Sequence, residues 1–300
     1  MNTLLVESTP TVSWKDYLEL CKPRVVLLMV ITSIVGMCLS SHAFVGWTVL
    51  LLGNLGIALA AASAAAVNHL ADYRIDSKMA RTQGRPVVQG KVSVVDTIIF
   101  ASLLCVMSMA ILVVFINTLT AVLTFLSIIG YAGVYTFYLK HNTSQNIVIG
   151  GLAGAAPPLL GVVAVTGHVT LMGLLLLSII FVWTPPHFWA LAIDRIEDYR
   201  NAEIPMLPNT HGIAYTKRCI VIYAAVLFFV SLLPYFLGCS DALYLFSAII
   251  LSGWFLWKTV QLYFDPDNTC AMQVFKVSIS YLFLLFIALL VDHYIPLTLF

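Results

Sequence analysis

Two stretches of this sequence carry carboxylates at a spacing that chemistry could use. The first runs Asn68-His-Leu-Ala-Asp72-Tyr-Arg-Ile-Asp76 and continues through Ser77 to Lys78, Arg81 and Arg85-Pro86. The second runs Asp194-Arg195-Ile-Glu197-Asp198-Tyr199-Arg200. Asn68, Asp72 and Asp76 stand at i, i+4 and i+8. Four residues turn an α-helix by about 400°, so the three share one face. Asp194 and Asp198 repeat the interval. Like charges at i, i+4 repel one another, so such a row makes sense where a divalent cation sits among the oxygens. Oxygen-only donors suit Mg²⁺, which keeps several waters and bridges to phosphates. For either stretch alone, a solvated helix end is the competing reading; two at one membrane face favour the cation.

The basic residues between the acids point the same way. Lys78, Arg81, Arg85, Arg195 and Arg200 could bind oxyanions, the arginines in bidentate fashion. Metal and guanidinium together neutralise a diphosphate as it leaves and its charge develops. Lys15, Lys91 and Lys217 read instead as anchors at the membrane face. The two stretches also align: at an offset of 122 residues Asp72 meets Asp194, Asp76 meets Asp198, Ala80 meets Ala202, Pro86 meets Pro208 and Gly90 meets Gly212. An internal duplication of four-helix units would set the two corners face to face across a central cavity.

The elements that must position these residues are membrane helices. Of 300 residues only 10% are charged and 61% are hydrophobic, against about 25% charged in an average soluble domain. A soluble globule, a disordered chain, a coiled coil and a disulfide scaffold are excluded on these numbers. A net charge of +1 with no basic tract gives no sign of a nucleic-acid partner. The six cysteines form no CxxC pair and read as free thiols. Residues 1–20 hold Glu7, Asp16 and Glu19 and do not resemble a cleavable signal.

The expected fold class is all-α: a polytopic membrane protein with nine transmembrane helices around a central cavity opening at the cytoplasmic face. The nine apolar stretches lie near 23–41, 46–68, 94–115, 119–138, 146–165, 170–193, 217–238, 242–263 and 275–293. They divide the chain into a cytoplasmic segment 1–22, one nine-helix domain 23–293 with active-site loops 69–93 and 194–216, and a tail 294–300. All 15 Lys and Arg fall on one set of loops and their helix ends, and none on the other. The positive-inside rule then places the N-terminus in the cytoplasm and the C-terminus outside, in a bacterial cytoplasmic (inner) membrane. No Asp, Glu, Lys or Arg is expected near a span centre, where ion-coupled transporters carry them. The chemistry gathers at the cytoplasmic interface, above an apolar interior.

These residues resemble the UbiA superfamily of intramembrane prenyltransferases. Its first metal motif, NxxxDxxxD, stands as Asn68-Asp72-Asp76. Within the superfamily the chain is similar to the haem O synthases. That likeness rests on Lys22-Pro23-Arg24, on Asp76 through Arg85-Pro86, on Tyr131 to Thr136 with Leu139-Lys140, on Asn146 through Leu159, on Trp183-Thr-Pro-Pro-His187-Phe-Trp189-Ala-Leu-Ala, and on Asp198-Tyr199 with Ile204 to Pro208. The chain departs from the pattern at His141, where a basic residue is usual, and at Glu203, where Gly is common.

The resemblance implies that farnesyl diphosphate and haem B react to give haem O and pyrophosphate. It implies Mg²⁺ held by Asn68, Asp72, Asp76 and Asp198, with Asp194 as a further ligand. Lys78, Arg81, Arg85, Arg195 and Lys140 would bind the diphosphate. Haem or prenyl contacts fall to Arg24, His187, Tyr131, Tyr135, Trp183 and Trp189, aromatic faces being suited to an allylic cation. A haem A synthase or a terminal oxidase assembly is the implied downstream partner, beside the lipid bilayer itself. Two alternatives stay open: an aromatic, quinone-precursor prenyltransferase of the same superfamily, and a non-catalytic membrane haem carrier.

Overall fold

The computed structural model describes residues 12–77 and 82–295, so Lys78 and Arg81 lie outside the described residues. Every regular element among the described residues is helical. Helix α1 (Trp14–Leu20) opens with a capping box: the backbone N–H of Ser13 donates to Asp16, and the Ser13 hydroxyl accepts from the Lys15 N–H. The chain then turns by 54° into α2 (Pro23–Cys38). The turn is made at Lys22, which sits in the left-handed region at φ 49°. Pro23 follows as the first residue of α2, where its missing N–H costs nothing.

Helix α3 (Val49–Asp76) is followed by α4 (Val94–Ile116), α5 (Thr118–Leu139), α6 (Asn146–Thr166) and α7 (Leu171–Asp194). Two short helices, α8 (Ile196–Asn201) and α9 (Leu207–His211), lead to α10 (Ile213–Phe236), α11 (Ala242–Phe264) and α12 (Ala271–Tyr294). Eight of these are long and apolar enough to cross a membrane. A ninth is reached if the bent pair α1–α2 counts as one span. The first expected span, 23–41, stops as a helix at Cys38. The second does not stop at residue 68 but runs unbroken to Asp76, so the expected loop 69–93 begins as helix.

Prolines shape the bundle without dividing it. Ala156 interrupts α6 just before Pro157-Pro158, whereas Pro185 and Pro186 are absorbed inside α7. Helices α2 and α6 touch backbone to backbone. A Cβ on Gly36 would lie 2.1 Å from the Pro158 carbonyl oxygen, and one on Gly161 would lie 2.1 Å from that of Ser33. Small residues at a crossing are how membrane helices gain van der Waals contact in lipid.

The two ends of the chain pack differently. Helices α10 to α12 are tied by buried hydroxyls: Tyr281 pairs with Ser231 at 2.7 Å and with Ser252 at 3.2 Å, and Tyr244 donates to the Ser231 carbonyl. The Asp292 carboxylate accepts the N–H groups of Asp241 and Tyr244, capping α11. The first helices instead enclose a cavity. It is lined by Lys22 and Met29 of the α1–α2 arm, Ile57 and Ala64 of α3, Tyr131 of α5 and Leu160 of α6, among others. No residue of α7 to α12 lines it.

Candidate active site

The site is built on the C-terminal half of α3. An alanine-rich stretch, Ala58 to Ala66, makes this helix narrow and lets neighbours approach closely. Asn68, Asp72 and Asp76 then fall on one face, and each is at most 4% exposed. Three cations close over that face. Lys22 donates to the side-chain oxygen Oδ1 of Asn68. Lys140, from the turn after α5, donates to Asp72 Oδ2 at 2.6 Å. Arg85, from the loop after α3, pairs with Asp76. The Asn68 amide also donates to Asp72 Oδ2 at 2.9 Å and to the Thr136 hydroxyl at 3.3 Å.

Thr136 is available because α5 widens. Over Ile129–Leu139 its turns loosen to an i+5 pattern, and the Thr136 hydroxyl donates to the Tyr131 carbonyl at 2.8 Å. Such widened turns recur at functional sites. Tyr131 and Tyr135 stack at 5.4 Å on the same segment. Tyr135 fits only because α6 presents Gly150, where a Cβ would stand 2.1 Å from the tyrosine ring. Lys22 and Tyr131 line the apolar cavity as well as bounding the polar row. Polar head and apolar chamber are therefore continuous.

Lys22 adopts a left-handed conformation that an L-residue pays about 1–2 kcal/mol to hold. Its side chain is thereby aimed at Asn68 rather than along the membrane face. Sequence reading placed Lys22 in the block opening the first span and did not bring it to the Asn68–Asp72–Asp76 row, and it gave Thr136 and His69 no role. The signal for Lys22 was a lysine directly before a helix-starting proline. His69 is 2% exposed with both ring nitrogens sealed and unpartnered.

The second corner is arranged otherwise. Asp194 ends α7, and Asp198 belongs to the separate helix α8. Arg195 breaks the helix between them at φ −109° and ψ 27°, so the i, i+4 interval does not put the two carboxylates on one helix face as expected. Both are accessible and face Arg195, at 3.3 Å and 3.8 Å, and Glu197 pairs with Arg200 at 2.8 Å. Among the described residues no three His, Cys, Asp or Glu side chains are grouped to hold a metal ion.

The residues suited to a hard cation are those of the first corner. All their donors are oxygens, and Asp72 keeps its Oδ1 buried with no partner, which a buried carboxylate oxygen rarely does. Of the other candidates, Arg24 is exposed, and Trp183 and Trp189 are buried in α7, Trp189 edge-on to Tyr223.

Residues 29–290 match the UbiA prenyltransferase family. The chain is 58% identical over 295 residues to a protoheme IX farnesyltransferase of Stutzerimonas stutzeri strain A1501, covering 98% of this chain and 99% of that one. It is 58% identical over 299 residues to a protoheme IX farnesyltransferase of Azotobacter vinelandii, covering 100% of both. Its fold is similar to that of a digeranylgeranylglyceryl phosphate synthase, with a TM-score of 0.81 at 20% identity over 93% of this chain and 98% of the other. A UbiA homologue of Archaeoglobus fulgidus bound to DMAPP and Mg²⁺ superposes with a TM-score of 0.62 at 14% identity, over 91% of this chain and 99% of that one.

Proposed function

The chain belongs to the UbiA prenyltransferase family and is a membrane prenyltransferase, and on that premise we propose that it transfers the farnesyl group of farnesyl diphosphate to a vinyl group of haem B, giving haem O and pyrophosphate. The observation that carries this reading is the buried row Asn68–Asp72–Asp76, roofed by Lys22, Lys140 and Arg85, at the head of an apolar cavity. The full-length likeness to protoheme IX farnesyltransferases supports haem as the acceptor.

Asn68, Asp72 and Asp76, with Asp198 and Asp194 of the second corner, would hold Mg²⁺, which when bound supplies neutralisation of diphosphate charge. The three roofing cations take the diphosphate oxygens, joined by Arg195 and, outside the described residues, Lys78 and Arg81. Breaking the C1–O bond leaves an allylic cation and pyrophosphate. The vinyl group attacks C1, and water adds to the resulting haem-side cation with loss of one proton. The apolar lining from Ala64 to Ile57 keeps water away from the prenyl chain meanwhile. Tyr131 and Tyr135 present stacked ring faces to the first cation.

The same reading places a single prenyltransferase domain over 23–293 in the inner membrane, N-terminus in the cytoplasm, with haem handed on to a haem A synthase or oxidase assembly. The test is a product assay. Purified protein in liposomes receives haem B and farnesyl diphosphate with Mg²⁺ or EDTA, and extracted haems are weighed. A hydrated farnesyl haem that requires Mg²⁺ is the expected result. Folded protein that yields none, yet prenylates an aromatic acceptor, overturns it in favour of the quinone-precursor reading.

A further inference from the structure

The interval that sets the donor row does not end at Asn68. Carried back along α3 it meets Ala64 and then Ala60, so the face that holds Asn68, Asp72 and Asp76 becomes a strip of methyl groups. Ala61 and Ala65 widen that strip, and all four alanines line the apolar cavity. Ile57 is the first lining residue of α3 whose side chain is longer than a methyl group. The other walls run out in step. The lining extends from Lys22 to Met29 on the α1–α2 arm, from Tyr131 back to Thr124 on α5, and from Ala153 to Leu160 on α6. Each stretch covers about 10.5 Å at 1.5 Å per residue.

Beyond Ile57 the bundle is packed. Ile57 and Leu160 are each 3% exposed and share a buried apolar cluster with Met37, Ala156 and Ala164. Met37 fills the next turn: a Cβ on Gly53 would stand 2.9 Å from its terminal methyl carbon. The distance from the row to this plug can be compared with a prenyl chain. Asn68 and Ile57 are eleven residues apart, about 16.5 Å along the helix axis. One isoprene unit adds four chain bonds of about 1.5 Å, which advance an extended chain by about 5 Å. Three units, about 15 Å, reach from the row to Ile57. Four units, about 20 Å, run into it.

We propose that Ile57, backed by Leu160 and Met37, is the residue that limits the prenyl donor to 15 carbons. The proposal rests on the prenyltransferase reading above and is independent of the acceptor. The packed cluster beneath Ile57 has no room to give to a longer chain, because close-packed interiors resist even small added volume. The α-helix also makes the limit adjustable in whole units. One turn rises 5.4 Å, close to the length of one isoprene unit. Ala61 stands one turn nearer the row than Ile57 and lines the same cavity. A bulky side chain at position 61 therefore raises the floor by one unit, and a small one at position 57 lowers it.

The test reads chain length without an acceptor. Full-length protein in detergent with Mg²⁺ is titrated by calorimetry with the unreactive thiolo-diphosphates of geranyl, farnesyl and geranylgeranyl. Wild type should hold the farnesyl analogue at least about tenfold more tightly than the geranylgeranyl one. Ile57→Ala should bring that ratio to within about twofold. Ala61→Leu should lower the farnesyl-to-geranyl ratio about tenfold; it fills cavity rather than core, so it serves even if Ile57→Ala does not fold. Equal wild-type affinities for the farnesyl and geranylgeranyl analogues would mean that the tail leaves sideways into lipid, and would overturn the floor alone. Ratios unmoved by either substitution would overturn the assignment to Ile57. Folded wild-type protein that binds none of the three analogues overturns the prenyl diphosphate reading, and this inference with it. A failure to modify haem B leaves every one of these ratios standing.

Discussion

The two acidic corners share a spacing and little else. Asp72 and Asp76 lie on one unbroken helix, buried, each held by a cation from a different segment of chain. Asp194 and Asp198 lie on two helices and are neutralised from within by Arg195. The side chains of Lys140 and Asp72 are 13% and 2% exposed, against 54% and 32% for Arg195 and Asp194. Charge pairs taken out of water must be well made, because breaking one leaves an uncompensated charge inside. Exposed pairs contribute about 0–1 kcal/mol and tolerate loss. The first corner is thus part of the fold as well as of the proposed chemistry. The second can act on a substrate while contributing almost nothing to stability.

The largest effect should come from Asp72→Asn. It keeps the shape but removes the charge opposite Lys140 and the buried Oδ1. Turnover should fall by about 10²–10³, the range for deleting one preorganised charge-stabilising group. Unfolding in detergent should come earlier by about 1–3 kcal/mol, the penalty for leaving a buried polar partner unmatched. Mass-spectrometric product rates and a thermal melt read both. Lost turnover with an unmoved melt would break the claim that this corner is structural.

Lys22 splits the two roles. Lys22→Gly and Lys22→Ala both remove the cation from Asn68 and should lower turnover alike, about 10–100-fold. Their stabilities should differ, since glycine takes φ 49° freely and alanine does not. The glycine variant should be the more stable of the two by about 1 kcal/mol. Equal melts for the two would mean that the left-handed turn relaxes when the lysine is gone.

How far the sequence discloses this contrast depends on what each feature needs. Spans follow from composition, because in lipid an apolar run of about 20 residues has one stable conformation. The Asn68–Asp72–Asp76 row was legible because its helix continues past the membrane face, so the spacing kept its meaning. The same spacing misled at Asp194–Asp198. The break at Arg195 comes from tertiary placement of α8 and α9, and no proline or glycine stands there to announce it. Lys140 reaching Asp72 spans 68 residues of sequence, and His187 meeting Ser278 spans 91. Periodicity holds no information on contacts of that range.

Asp198→Asn should move turnover and leave the melt in place. The proposed contribution of its carboxylate to the cation site predicts a fall of about tenfold to a hundredfold. Its accessible side chain, 3.8 Å from Arg195, predicts no resolvable change in unfolding. Asp194→Asn should do less to turnover, because Arg195 lies nearer to it, at 3.3 Å, and already neutralises it. A melt shift for Asp198→Asn equal to that of Asp72→Asn would erase the difference between the corners.

The smallest effect sharpens the comparison most. Glu197 holds Arg200 through both carboxylate oxygens, at 2.8 Å and 3.0 Å, one helical turn apart on α8. The side chains of Arg200 and Glu197 are 61% and 67% exposed, so the pair is solvated and screened. Glu197→Gln should change stability by no more than about 0.5 kcal/mol, and salt should abolish even that. Its effect on turnover distinguishes two pictures of the second corner. If Asp198 works alone, the substitution leaves product rates within about twofold at any salt, a change of roughly 0.4 kcal/mol in the barrier. If the corner works as a charged unit, freeing Arg200 adds a cation beside the leaving diphosphate, and the rate rises at low salt and returns to normal at high salt. Product formation measured across an ionic-strength series in both proteins decides between a single ligand and a field.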